Sequence, residues 1–482
     1  MIDRLHSFVL IAALICGAAL AEDVPTTLEL AENELPAAVR SVLNVRNLPT
    51  NSLSIYVENL DTGKTLLSWN AAEPRNPASV MKLLTTLVAL DTLGPTYTWK
   101  TDAYILGDIE EGTLEGDLLL KGHGDPFLVT ERVWQMLRDL RRSGIHRING
   151  DLLLDDSYFQ VMNHDPAAFD HEPLRAYNVA PNALMMNFKA VRYFFSPDVE
   201  HNKVRVHTDP DLENLKIINR LSVRAGTCRG YQRGIAIIPN QTFDQVTFEG
   251  KFPSGCDIYS MTRSALGHNA FSFGLFKSIW EESGGELAGS WRNVISKDDS
   301  EPFLSFDSWP LADIISKVNK HSNNVMARQL LYTLGAETYG APGTEENGRR
   351  AIKQWLLDEG FDAASLSLDN GAGLSRTSRM SADQIAALLR FAYGRPYMPE
   401  FLSSMSIAGL DGTMSRRFRD DMLTGKAHIK TGTLDDVTAI AGYVQSQSGD
   451  RYAIVAMQNF ADIHRGPGEE VQEALLRWVY RQ

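Results

Sequence analysis

The sequence predicts an α+β protein of more than one domain, in which a single sheet draws its strands from both ends of the chain. Three observations predict it. Strand patterns stand near the N-terminus and again near the C-terminus, with helical patterns between them. The chain has 482 residues, 44% hydrophobic and 22% charged, which is enough apolar surface for two or three cores and too much for disorder. A long middle stretch has a β-rich texture of its own and reads as an insertion.

The chain opens with Arg4 and the apolar run Phe8 to Ala21, followed by Glu22-Asp23. The run is short for a membrane span, and Ala19-Leu-Ala21 has the A-x-A form of a cleavage site, so residues 1–21 read as a secretory signal cut after Ala21. Export then implies an oxidising compartment, the periplasm. Cys228 and Cys256 are the two cysteines left after that cut, an even count compatible with one disulfide or with two buried thiols.

Leu30 to Leu43 reads as a short amphipathic helix, and Leu53–Leu60 with Lys64–Trp69 as a hairpin turned by Asp61-Thr-Gly63. Ser79 to Leu93 is apolar at helical spacing and stops at Gly94-Pro95. Two similar strand-like segments, Gly116-Asp-Leu-Leu-Leu-Lys121 and Gly150-Asp-Leu-Leu-Leu-Asp155, bracket a helical stretch around Val133 to Arg142. Short alternating runs follow, such as Lys203-Val-Arg-Val-His207 and Gly234-Ile-Ala-Ile-Ile238. Helical patterns resume at Trp309–Val318 and Val325–Leu334. Strand patterns return at Gly425–Lys430, Val437–Gln445 and Tyr452–Gln458, and an amphipathic helix, Glu469–Tyr480, closes the chain. The expected division is a signal at 1–21, a catalytic domain in two parts at 22–100 and 289–482, and inserted domains at 101–288.

Three short motifs stand in order along this frame: Ser79-Val-Met-Lys82, Ser322-Asn323-Asn324 and Lys430-Thr431-Gly432-Thr433. A serine hydroxyl is a poor nucleophile at neutral pH and needs a neighbour to take its proton and donors for the oxyanion that forms. Ser79 and Lys82 lie at i and i+3, on one face of a helix whose N-terminus carries free N–H groups and partial positive charge. Alone, each motif has a plain explanation: an N-cap with a surface lysine, a helix-capping turn, a strand edge. Together, in this order and context, they point to acyl transfer. The net charge of −13 and the absence of a long basic run argue against nucleic acid as a partner. No His, Asp or Glu cluster suggests a metal, no cofactor is expected, and His123 in Gly122-His-Gly124 reads as a turn residue.

The three motifs, with Gly122-His-Gly-Asp-Pro126, Asp155-Asp-Ser-Tyr-Phe159, Tyr177 to Leu184, Asp369 to Arg376 and Gly409-Leu-Asp-Gly-Thr413, resemble the class C low-molecular-mass penicillin-binding proteins. These are serine D-Ala-D-Ala carboxypeptidases and endopeptidases. The resemblance implies a β-lactamase/transpeptidase-like domain, an antiparallel sheet flanked by helices, carrying inserted β-rich domains. It implies that Ser79 is the nucleophile, Lys82 its base with a pKa lowered by burial and by Lys430, Ser322 a proton relay, and Asn324 a ligand of Lys82 and of the substrate amide. Lys430, Thr431 and Thr433 would receive the terminal carboxylate, Gly432 would permit close approach, and the N–H groups of Ser79 and Thr433 would form the oxyanion hole.

Asp155 and Arg376 are further substrate-binding candidates, for a free amine and a carboxylate of the substrate respectively; the alternatives are an N-cap and a surface ion pair. Asn323 departs from the commoner aspartate, and its side chain is expected to face away from the site. The expected partners are peptidoglycan stem peptides, with β-lactams as covalent inhibitors. A serine β-lactamase or esterase, or a non-catalytic wall-binding protein on the same fold, are the competing readings.

Overall fold

The N-terminal strand Leu53–Asn59 pairs antiparallel with the near-terminal strand Arg451–Asn459, from Leu53 opposite Gln458 to Asn59 opposite Tyr452. In this computed structural model, which describes residues 34–162, 164–229, 234–296 and 300–482, that pairing closes a six-stranded sheet. Its order is Ser406–Ile407, Ala427–Leu434, Val437–Gln445, Arg451–Asn459, Leu53–Asn59, Thr65–Trp69, and every neighbouring pair is antiparallel. The expected signal segment and the start of the predicted first helix lie outside the described residues; the helix itself is described from Ala37 to Val45.

Both faces of the sheet are covered, which is why Val437–Gln445 reads as an apolar run and not as an alternation. Ile440, Val444, Ile454 and Ala456 point to a core shared with the helices Ala37–Val45 and Pro467–Tyr480. Ala439, Ala441, Tyr443, Ala453, Val455 and Met457 point the other way, to the helices Met81–Leu93, Leu311–Lys320, Asn324–Tyr339 and Ala382–Tyr393. Met81–Leu93 is central: every residue from Met81 to Leu90 is buried, as expected for a helix that is apolar all round. Its start, Met81, lies two residues past the expected Ser79, because Ala78–Val80 forms a 3-10 turn first.

Among the described residues, the intervening chain builds three further sheets. In the largest, the two Gly-Asp-Leu-Leu-Leu segments lie side by side and parallel, Leu118 opposite Leu152 and Leu120 opposite Leu154, joined through the helix Thr130–Arg142. Parallel strands covered on both faces need continuous apolar runs, and the Leu triplets supply them. The two smaller sheets pack through Tyr193, Phe195, Phe248 and Phe252. Cys228 and Cys256 form a disulfide across the ends of the parallel strands Lys216–Thr227 and Gln245–Gly255, which settles the choice left open by their number.

The strands Trp291–Asn293 and Leu304–Asp307 also belong to the largest inserted sheet, pairing with Leu152–Asp155 and Lys100–Glu110. That sheet therefore takes chain beyond residue 288, where the sequence reading ends the insertion. Strands of three and four residues with charged members carry too little alternation to be seen.

Candidate active site

The nucleophile candidate is held by an unusual piece of backbone. Ala78 has φ +46°, a region that costs an L-residue on the order of 1 kcal/mol. Its N–H is fixed by Asn76 Oδ1 at 2.9 Å, and Asn76 is itself anchored through Asn459 Oδ1 and the Ser375 carbonyl. Ser79 follows, half-buried, at the mouth of the buried helix.

Lys82 has no exposed surface, which removes the alternative of a solvated lysine. Its Nζ lies 3.0 Å from Ser79 Oγ, 2.6 Å from Asn324 Oδ1 and 2.5 Å from the Ala372 carbonyl. Burial first, then the charges of Lys430 and Arg328, hold its pKa well below that of a free lysine. A neutral amine has two protons and one lone pair. With the protons directed to Asn324 and Ala372, the lone pair is left for the Ser79 hydroxyl.

The Ala372 carbonyl is placed by the turn Gly371-Ala-Gly373, both of whose glycines have positive φ. A Cβ on Gly373 would stand 1.9 Å from the Ala78 carbonyl, so only glycine lets this loop close on the nucleophile turn.

The second motif sits between the helices Leu311–Lys320 and Asn324–Tyr339. Ser322 has φ +52°. Asn323 is the helix N-cap, its Oδ1 accepting the Met326 N–H, so its side chain faces away from Lys82 and an amide serves there as an aspartate would.

Lys430 is also fully buried; its Nζ donates to Ser322 Oγ at 3.0 Å and to the Thr431 carbonyl at 2.6 Å. Burial lowers its pKa to about 7. Thr431 Oγ1 bonds Thr413 Oγ1 at 2.8 Å, bringing in the Gly409–Thr413 segment, while Thr433 is exposed. A Cβ on Gly432 would stand 2.7 Å from the Pro77 carbonyl and 2.9 Å from the Ser79 nitrogen, so this strand runs against the nucleophile turn. Among the described residues, Ser406–Ile407 pairs only with Ile429 and His428, and no strand pairs with the outer edge of Lys430–Leu434.

The two further candidates separate. Arg376 Nη2 reaches Asp435 Oδ2 at 3.2 Å, its guanidinium lies over the Phe169 ring, and it lines a cavity of about 470 Å³ that also touches Asn370 and Ser375. Asp155 does not face a site. It is fully buried, and its two carboxylate oxygens accept the backbone N–H groups of Ser157 and Ser296 at 2.9 and 2.8 Å. Its assignment to substrate binding is corrected: the carboxylate ties the end of a strand to a neighbouring loop.

Two contributors escaped the sequence reading. The Ala372 carbonyl is a backbone group with no residue signature. Arg328, one turn beyond Asn324, sits inside a helix buried on all sides and looks there like any core position; only its spacing of four from Asn324 hinted at a shared face.

A serine whose hydroxyl lies against a buried amine, beside a glycine-bearing strand edge, is the equipment of a serine hydrolase working through an acyl-enzyme. The comparisons with known proteins agree. The D-Ala-D-Ala carboxypeptidase 3 (S13) family matches residues 35–482, and the chain belongs to that family. A D-alanyl-D-alanine carboxypeptidase of Actinomadura sp. (strain R39) is 27% identical over 465 residues, covering 92% of this chain and 84% of that protein. The crystal structure of penicillin binding protein 4 (dacB) from Haemophilus influenzae matches with a TM-score of 0.78 at 21% identity, covering 92% and 99% of the two chains. A predatory peptidoglycan endopeptidase of Bdellovibrio bacteriovorus matches with a TM-score of 0.51 at 15% identity, covering 88% and 92%. The expected transpeptidase-like fold is borne out by these structures, and the enzyme class is that of a serine-type D-Ala-D-Ala carboxypeptidase.

Proposed function

We propose that this enzyme removes the terminal D-Ala from peptidoglycan stem peptides, and cuts cross-links between them, through an acyl-enzyme on Ser79. Ser79 Oγ attacks the carbonyl of the penultimate D-Ala while Lys82 takes the hydroxyl proton. The C–N bond breaks, and the proton held by Lys82 passes through Ser322 to the leaving amine, which returns Lys82 to its neutral form. Water, deprotonated by Lys82, then hydrolyses the ester and returns Ser79 to the hydroxyl form. Asn324 holds Lys82, Lys430 with Thr431 and Thr433 receives the terminal carboxylate, and the N–H groups of Ser79 and Thr433 receive the oxyanion. Arg376 flanks the entry and offers charge to a substrate carboxylate.

The observation that carries this reading is the buried Lys82, aligned on Ser79 with its other neighbours both acceptors. A catalytic body in two sequence segments, with an insertion facing its rim, is part of the same reading, as is export to the periplasm with cleavage after Ala21. β-Lactams, which present an amide carbonyl beside a carboxylate, acylate Ser79 and are released slowly, because no carboxylate stands among the described hydrogen-bond partners of Ser79 and Lys82 to speed hydrolysis.

The test is to incubate the protein with a muropeptide ending in D-Ala-D-Ala and with a D-Ala-diaminopimelate cross-linked dimer, following products by mass. Loss of D-Ala and scission of the dimer are expected, and both vanish in Ser79→Ala. Turnover of neither by the folded wild-type protein overturns the proposal.

A further inference from the structure

Between the inserted sheet and the far end of the helix Asn324–Tyr339 lies a depression of about 800 Å³, lined among others by Lys121, Asp156, Phe159, His268, Ile295 and Pro342. It shares Pro181 with the cavity of about 470 Å³ described above. That first cavity touches Arg328, on the second turn of the helix, and Asn370 and Ser375, from the loop whose Ala372 carbonyl holds Lys82. The second reaches Ala341 and Pro342, past the helix end. The two depressions therefore follow one helix outward from the nucleophile.

Three features of the outer depression point to a ligand. Lys121 makes no ion pair or hydrogen bond among the described residues. The carboxylate on the same lining does not serve it, since Asp156 Oδ2 accepts from Asn182 Nδ2 at 2.6 Å and from Asn269 Nδ2 at 3.2 Å. His268 is half-buried, and its Nε2, shielded from solvent, has no hydrogen-bond partner among the described residues. An unmatched buried ring nitrogen carries a desolvation cost that a ligand group can relieve. Burial, with Lys189 and His164 nearby, brings the His268 pKa down to about 3, so the ring is neutral and can offer Nε2–H without adding charge. Ile295, three-quarters exposed, supplies an apolar flank.

An unpaired ammonium, an unmatched imidazole nitrogen and an aliphatic wall suit a carboxylate on an extended peptide. A cationic ligand would meet Lys121 unfavourably, and a neutral one would leave it unpaired. We propose that the outer depression is a distal binding station for the stem-peptide substrate, taking a carboxylate-bearing residue several positions from the scissile bond, with Lys121 as its ion partner and His268 Nε2–H as its donor. This rests on the reading above that stem peptides are the substrate. Because the station lies at the opposite end of the helix from Asn324, a short D-Ala-D-Ala peptide does not reach it. It therefore selects for substrate length.

The experiment compares kcat/KM for an N-acylated tripeptide ending in D-Ala-D-Ala with that for the cross-linked stem-peptide dimer, in the wild type and in Lys121→Met and Lys121→Arg. The expected result is a fall of about tenfold in the dimer-to-tripeptide ratio in Lys121→Met, carried by KM, with recovery in Lys121→Arg. An equal change on both substrates, or none, overturns the proposal while leaving D-Ala release from the tripeptide as evidence for the function itself. A direct measurement guards against a folding defect: Ser79→Ala protein binds the dimer about tenfold more tightly than a dimer amidated only at the carboxylate distal to the scissile bond, and this difference disappears when Lys121→Met is added. Equal affinity for the two dimers also overturns the proposal.

Discussion

Two lysines are buried in the site, and among the described residues neither pairs with a carboxylate. The roles proposed for them need opposite protonation states. Lys82 works as a base only when neutral, so the rising limb of kcat/KM with pH follows loss of its proton, well below the ordinary lysine range. Lys430 works as a cation, so activity falls as it deprotonates, near pH 7 in the free enzyme. A bound carboxylate favours charged Lys430, and the falling limb of kcat should therefore lie at higher pH than that of kcat/KM; superimposed profiles would contradict this. The same shift acts on stability. Lys430 releases its proton in the fold near pH 7 but in the unfolded chain only near 10.5, so between these values the unfolded state binds more protons and stability rises with pH. Below about 7 the full cost of the buried charge is present. Lys430→Met is expected to abolish turnover yet raise the melting temperature, more at pH 6 than at pH 9, with a gain on the order of 1–2 kcal/mol at the lower pH. The side chains behind these effects were legible in the sequence because motif spacing names them. The Ala372 carbonyl was not, since a backbone acceptor is created by a turn and not by a residue type. Asp155 misled because a carboxylate at a strand end looks the same whether it faces a ligand or a backbone N–H.

At the scale of elements, the strand Ala427–Leu434 and the turn before Met81 are two pieces of backbone in contact, and Gly432 is where they touch. Gly432→Ala would place a methyl group against backbone on the other piece, and backbone yields less readily than a side chain. The strand must then back away from Ser79. We expect acylation by a fluorescent penicillin to slow by about a hundredfold, with the sheet intact by circular dichroism; labelling at the wild-type rate would show that the contact does not set the geometry. Long apolar or alternating elements were readable: Val437–Gln445 is found at its expected limits, and Arg451–Asn459 extends its expected range by one residue at each end. The short strands Trp291–Asn293 and Leu304–Asp307 were not, because their identity comes from the partners they reach and not from their own composition.

Across the whole molecule, the disulfide and the nucleophile belong to different cores. Cys256 packs with Phe195, Phe248 and Phe252, whereas Lys82 lies among the helices on the central sheet. Replacing both cysteines with serine should destabilise the protein by roughly 2–4 kcal/mol while leaving penicillin acylation of Ser79 within about twofold; loss of acylation in a protein that is still folded would mean that the two regions are mechanically coupled. That the central sheet draws on both chain ends was legible from where the strand patterns fall. How the three inserted sheets stack was not, because register between distant short strands is set by packing that no local pattern records.

The junction of Leu53–Asn59 with Arg451–Asn459 also imposes an order in time. A ribosome or export channel delivers the chain from its N-terminus, so Ser79 and Lys82 emerge long before the strand that completes the sheet beneath them, and before Lys430. A growing chain is thus chemically mute, carrying its serine without the surroundings that sharpen it. A chain ended at Asp450 is expected to take up no fluorescent penicillin, and adding the missing segment as a separate peptide should restore labelling only so far as it docks as the absent strand and helix.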